Sequence, residues 1–220
     1  MNGILRWTLG LTIAAMLTLA PFFYYRAAYS KDKRFREVEP GVLYRSGQLT
    51  AEGFSERIRE KGIRTVINAQ DEYPDPELSW SYWGGKKIRE SELCRQLGVR
   101  YIHLPPDLLK GRRGEYDRPE AIDEFLEIMD NKENHPVLVH CKAGLHRTGC
   151  LAAVFRLETP REKECPWYSG WTPRQAIEEL KANGFGEYPC SISNAYIDQY
   201  ILSYKPGIRI VREPVEPPQP

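Results

Sequence analysis

The sequence has little of what marks a scaffold held by cross-links or metal ions. Five cysteines are spread along 220 residues, at Cys94, Cys141, Cys150, Cys165 and Cys190. Their number is odd and no Cys-x-x-Cys occurs, which argues against a disulfide framework and against a zinc cluster. The histidines, His103, His135, His140 and His146, stand at no spacing that suits metal ligation. No metal and no cofactor is expected. An excess of one charge is missing as well. Lys and Arg number 31 against 30 Asp and Glu, a net +1, so no whole-chain case for nucleic-acid binding exists. A nucleotide P-loop is also absent, because Gly144-Leu145-His146-Arg147-Thr148 lacks the Gly-Lys-Ser/Thr ending.

Charge is missing altogether from Trp7 to Tyr25. At about 1.5 Å of rise per residue, roughly 19 residues just span a bilayer core. Trp7 and Tyr24-Tyr25 sit where interfacial aromatics are expected. The rival reading is a cleaved signal peptide, for which Ala28-Tyr29-Ser30 is a poor cleavage site. An uncleaved single-pass anchor is favoured. Arg26, Lys31, Lys33, Arg34 and Arg36 follow the run and only Arg6 precedes it. The positive-inside rule then puts the following domain in the cytoplasm. A reducing compartment also suits a reactive thiol. The chain divides into an anchor and charged linker over 1–37, a folded domain over 38–205 and a proline-rich tail over 206–220.

Within the domain, strands alternate with helices before a helical last third. Val42-Leu43-Tyr44 reads as a strand, and Thr50 caps a helix that Gly62 ends. Thr65-Val66-Ile67 is a core strand, and Asp71 to Lys87 a polar and aromatic surface excursion. A helix over 88–97, a strand over 99–104 and a helix after Pro119 follow. Later helices start at Thr172-Pro173 and near Ser191. The pattern predicts an α/β fold: a central, mostly parallel sheet flanked by helices, with the site at the C-terminal edge of a strand.

The chemistry lies in His140-Cys141-Lys142-Ala143-Gly144-Leu145-His146-Arg147-Thr148-Gly149. Val137-Leu138-Val139 before it is a strand, and Cys150 to Phe155 after it can carry a helix. A tight loop that feeds a helix N-terminus turns backbone N–H groups inward and cradles an anion. A cysteine at its mouth is favoured as thiolate, and Arg147 can grip two oxygens of one phosphate. Nucleophile, cradle and clamp lie in one stretch, which reads as phosphoryl transfer to sulfur.

The pattern His-Cys-x5-Arg-Thr resembles the signature of the cysteine-dependent protein tyrosine phosphatase superfamily, above all its dual-specificity branch. Gly41-Val42-Leu43-Tyr44-Arg45-Ser46-Gly47-Gln48 and Gly62-Ile63-Arg64-Thr65-Val66-Ile67-Asn68 look like the atypical compact members of bacteria, fungi and plants. The resemblance covers residues 38 to 204. It implies a dual-specificity-like fold and a phosphocysteine mechanism. Cys141 would be the nucleophile and Arg147 the phosphate clamp. The phosphate loop would run from Lys142 through Ala143, Gly144, Leu145 and His146 to Arg147. His140 would order that loop, and Thr148 would donate a hydrogen bond to the Cys141 sulfur.

A general acid must protonate the leaving oxygen. Asp107, on the loop that leaves strand 99–104, is the candidate, with that strand expected beside strand 137–139. The family places its acid on the equivalent loop. Asp117 is the runner-up, although before Arg118-Pro119 it looks more like a helix cap.

Two substrate classes stay open. Trp80, Tyr82 and Trp83 could line a phosphotyrosine slot in a phosphatase for phosphorylated protein or aryl phosphate, the favoured reading. Lys142-Ala143-Gly144 resembles the loop of phosphoinositide phosphatases, and Arg112-Arg113 adds charge, but Leu145 stands where that family has a second lysine. The alternative is therefore a phosphoinositide or inositol phosphate phosphatase. Outside phosphatases, a sulfurtransferase would leave Arg147-Thr148 unexplained. A catalytically inactive phosphate-binding module would not need Cys141 and Arg147 together. Cys94 and Cys150 read as packed thiols, whereas Cys165 and Cys190 could regulate the thiolate.

Overall fold

The structure, a computed structural model, describes residues 3–106, 119–159, 170–182 and 195–208. Seven strands and seven α-helices are found among them. The strands are β1 (Arg36–Glu39), β2 (Leu43–Ser46), β3 (Thr65–Asn68), β4 (Glu77–Ser81), β5 (Gly84–Arg89), β6 (Arg100–His103) and β7 (Val137–His140). The helices are α1 (Gly3–Lys31), α2 (Ala51–Lys61), α3 (Glu90–Leu97), α4 (Glu120–Asp130), α5 (His146–Glu158), α6 (Pro173–Ala182) and α7 (Ala195–Ser203).

The main sheet has the order β1-β2-β7-β3-β6. Its last four strands are parallel, and only the edge strand β1 is antiparallel. This is the expected α/β fold. The register brings Ser46, His140, Asn68 and His103 level at the C-terminal ends of β2, β7, β3 and β6. Alternate side chains of each strand point to opposite faces. Val137 and Val139 thus join the layer of α4, α5, α6 and α7, while Leu138 joins that of α2 and α3. Both faces are covered, which explains why β7 is apolar at successive positions.

One expectation about the sheet is corrected. Strands β6 and β7 are not neighbours, because β3 pairs with both. Two apolar strands with right-handed crossovers leave their mutual order open, and the fully buried β3 stands between β7 and β6. The excursion over 71–87 also contains more structure than expected. β4 and β5 form an antiparallel hairpin, with Tyr82 and Trp83 at the turn and Gly84 and Gly85 at positive φ. Glycines read as loop punctuation are here the start of a strand.

Thr50 caps α2 as expected, its hydroxyl accepting from the Gly53 N–H at 3.2 Å, and Gly62 ends the helix at φ 62°. Helix α1 is longer than its apolar run. It continues to Lys31, where a charged linker was expected, and none of its residues is buried. Its end docks on α2. Lys31 pairs with Glu56 at 2.8 Å, and Arg57 grips Asp32 with two contacts of 2.7 Å. The Lys31 carbonyl comes so near Gly53 that a Cβ there would lie 2.0 Å from its oxygen. Only glycine lets the two backbones meet.

Candidate active site

Strand β7 ends at His140, and the chain turns at once through Cys141 to Arg147 into α5. Gly144 makes the turn possible. Its φ is +74°, and a Cβ would stand 2.4 Å from Gly47 N. The Gly144 N–H donates to Cys141 Sγ at 3.2 Å, so a backbone donor is aimed at the sulfur. The sulfur is buried, with Cys141 only 3% exposed.

Three cations hold the outer side of the loop. Lys33 Nζ donates to the Lys142 carbonyl at 2.7 Å, Arg34 to that of Ala143 at 3.1 Å and Arg45 to that of Gly144 at 2.9 Å. With these carbonyls engaged outward, the peptide dipoles present their positive ends toward the sulfur side. Arg45 is buried, and burial lowers its pKa to about 10, still charged at neutral pH. Burial, then the neighbouring Arg34, also lowers that of Lys33. Arg45 and Gln48 stand in a stretch that carried the family resemblance, but no spacing assigned them a role. Lys33 and Arg34 were read as linker.

Beneath the loop lies a polar chain. His140 Nε2 and Glu90 Oε1 are 2.6 Å apart, and Gln48 donates to the other Glu90 oxygen at 3.0 Å. Gln70 in turn donates to Gln48. The expectation that His140 orders the loop region thus acquires a named partner. Glu90 was missed, since a glutamate at a helix start gives no sign of burial. Thr148 Oγ1 is buried without a hydrogen-bond partner among the described residues, and the only donor found on the sulfur there is Gly144.

Arg147 forms a two-pronged contact with Glu72, at 3.1 and 3.2 Å, and also pairs with Asp71. Burial opposes its charge, but the Glu72 hydrogen bond and the Asp71 charge outweigh this and raise its pKa. Neither carboxylate was foreseen; both sit on the loop after β3. His146 is half-buried and its pKa is lowered, by burial first and then by Arg147. Lys142 is exposed, its ammonium 5.3 Å from the Tyr73 ring centre. Tyr73 and Tyr29, neither of them foreseen, are thus aromatics beside the loop. Leu145 is 5% exposed, yet it lines the cleft beside the loop and adds no charge to it. Cys94 and Cys150 are packed thiols, as expected, and burial pushes that of Cys150 up to about 12. Asp107, Asp117, Arg112, Arg113, Cys165 and Cys190 lie outside the described residues.

Beside the loop opens a cleft of about 400 Å³. Arg26, Tyr29, Lys33, Arg34, Leu145 and His146 line it, and among the described residues no Asp or Glu does. The whole arrangement can bind an anion over a sulfur and can hold further negative charge next to it.

The profile of the family described as "PTP-NADK: DSP-PTPase phosphatase fused to NAD+ Kinase" matches residues 16–188. The chain belongs to this family. It is an atypical member of the cysteine-based dual-specificity and protein tyrosine phosphatase superfamily. It is 31% identical over 149 residues to Inositol diphosphatase DSP3 of Arabidopsis thaliana, covering 68% of this chain and 61% of that protein. Against Dual specificity protein phosphatase TpbA of Pseudomonas aeruginosa it is 25% identical over 192 residues, covering 83% and 74%. Among solved structures, the core catalytic domain of the PP-IP phosphatase SIW14 from S. cerevisiae superposes with a TM-score of 0.55 at 20% identity. That match covers 79% of this chain and 86% of the other and shows a shared fold. The chain spans 37% to 63% of the length of the first four inositol diphosphatases that it matches.

Proposed function

We propose that this chain is a cysteine-dependent phosphatase, acting through a phosphocysteine, whose substrate is a small, multiply phosphorylated molecule of the inositol phosphate class. In the first step the Cys141 thiolate attacks phosphorus in line. An S–P bond forms and the P–O bond to the leaving group breaks, with Asp107 donating the proton that the leaving oxygen takes. The loop N–H groups and Arg147 stabilise the charge spread over the equatorial oxygens. In the second step water attacks phosphorus, Asp107 accepts its proton, and the S–P bond breaks to release inorganic phosphate and the thiolate. The Gly144 N–H, which already donates to the sulfur, supports it as it departs, and the unpartnered Thr148 hydroxyl would have to turn to it to add a second donor.

The cationic cleft carries the substrate reading. A single phosphate is already served by the loop and Arg147. Arg26, Lys33 and Arg34 supply more positive charge than one phosphate uses, with no acid in the lining among the described residues. The likeness to inositol diphosphatases points the same way. The sequence alone favoured phosphorylated protein or aryl phosphate, through Leu145 and the aromatic excursion over 71–87; Leu145 does line the cleft, but Arg26, Lys33 and Arg34 beside it supply charge that the loop sequence lacks. The protein reading is supported by Leu145 and by the similarity to TpbA over most of the chain.

The test uses the full chain in detergent under reducing conditions without added metal. Phosphate release is compared across inositol phosphates, inositol diphosphates and phosphotyrosine and phosphothreonine peptides. Inositol compounds should lead by at least tenfold in kcat/KM, and Cys141→Ser should abolish turnover of all of them. A tenfold lead for the peptides would replace the substrate, and an active Cys141→Ser variant would overturn the mechanism.

Helix α1 is long and apolar enough to cross a membrane. We read it as an uncleaved anchor with the catalytic domain, residues 38–205, on the cytoplasmic side. Its complete exposure along the apolar run, and the cations that follow, support this. Alkaline extraction of membranes tests the anchor; a soluble product lacking the first 20–30 residues would mean a signal peptide instead.

A further inference from the structure

The β4–β5 hairpin carries aromatic side chains that the site does not use. Trp80 is 47% exposed and Trp83 is 67% exposed. Tyr82 packs edge-on against Trp83, ring centres 5.1 Å apart. Trp83 in turn stands 5.8 Å from the ring of Phe23 on α1. Phe23 belongs to the uncharged run that ends at Tyr25, and Arg26 is the first cation beyond it. The hairpin tip is therefore level with the end of the apolar segment. It leans on α1, which has no buried residue.

Bulky rings in water are unfavourable, and Trp80 and Trp83 remain exposed against the described residues of the domain. Trp and Tyr suit the bilayer interface, where an apolar ring meets lipid and a polar edge stays wet. The strand after the turn begins Gly84-Gly85-Lys86-Lys87, and both lysines are exposed. Lys87 pairs with Glu77 at 3.5 Å; Lys86 is placed for lipid phosphates. Aromatic tip, flanking lysines and contact with the apolar run are the three features of an interfacial anchor.

We propose that the tip of the β4–β5 hairpin, Trp80 to Lys87, is a second membrane contact, lying in the headgroup interface beside α1. The proposal rests on reading α1 as a membrane anchor. One helix leaves a domain free to rotate about its axis. A second contact fixes the rotation and so fixes where the cleft opens.

The test reads tryptophan fluorescence of the full chain in phospholipid vesicles whose acyl chains are brominated close to the headgroup. Bromine quenches only rings that reach the bilayer. Two variants are compared with the parent, Trp83→Phe and Trp7→Phe. Trp83→Phe keeps a ring against Phe23 and changes an exposed turn, so the fold is retained. Both variants should lose part of the bromine-quenched emission, and iodide in the water should quench the parent's Trp83 component poorly. If only Trp7→Phe loses quenched emission, the hairpin is in water and the proposal is overturned while the anchor stands. If neither variant loses any, hairpin contact and anchor are both overturned. An unquenched tip that iodide reaches only after dilution of the protein would point to a second copy of the chain as its cover and would equally overturn the proposal.

Discussion

His140 Nε2 lies 2.6 Å from Glu90 Oε1, and the side chains are 1% and 0% exposed. The pair joins the end of β7, one residue before the cysteine, to the first residue of α3. Through Gln48 it also reaches the segment that leads into α2. Removing one partner of a buried polar pair leaves the other unsatisfied, at a cost of about 3–5 kcal/mol. Glu90→Ala should therefore lower unfolding free energy by about that amount in denaturant titration. Glu90→Gln keeps an acceptor for the imidazole and should cost clearly less. Equal losses for the two would show that volume, not the hydrogen bond, matters there.

The Asp71 and Glu72 carboxylates occupy the guanidinium that a substrate phosphate needs. They are partly exposed, so each contributes at most about 1 kcal/mol against phosphate. Asp71→Asn with Glu72→Gln should tighten inhibition by vanadate or inorganic phosphate about fivefold, with kcat little changed. A large fall in kcat would instead make one of them a proton donor. Arg147→Lys keeps the charge but loses the fork, and should cost kcat about 2–4 kcal/mol.

The pKa of His146 in the folded chain lies below its ordinary value of 6.5. Between the folded and unfolded values the unfolded chain takes up a proton that the folded chain refuses. Stability therefore falls as pH drops through about 6.5 and rises again with pH. Urea midpoints measured across this range should show that loss, and His146→Gln should flatten it. An unchanged slope in the variant would assign the loss to other groups.

The acid is tested by pH–rate profiles. Asp107→Asn should flatten the basic limb and slow poor leaving groups more than good ones, while Asp117→Asn should do neither. The reverse result would make Asp117 the acid.

Much of the framework was legible because it depends on neighbours in sequence. The Thr50 cap, the Gly62 stop, the apolar β7 and the loop from Cys141 to Arg147 are all local signals. What escaped depends on distant pairs. The partner of His140 is 50 residues away, and the donors to the Lys142 and Ala143 carbonyls are 109 residues away. No periodicity announces such contacts. The wrong neighbour for β6 has the same origin, since strand order is decided by packing on both faces at once. Leu145, one residue before α5, is nearly buried and still lines the cleft, so its apolar side chain is part of the wall beside the phosphate loop.

The grip of Lys33 and Arg34 on the phosphate loop bears on where a working fragment can begin. The sheet starts at Arg36, and a cut just before it looks natural from the strands alone. Such a cut would strip donors from two carbonyls of the very loop that holds the sulfur. It would also remove the backbone that Gly53 was shaped to receive. The last turns of α1 are thus shared property, the stem of the helix and a wall of the reaction chamber at once, and a soluble fragment stays whole only if it carries them.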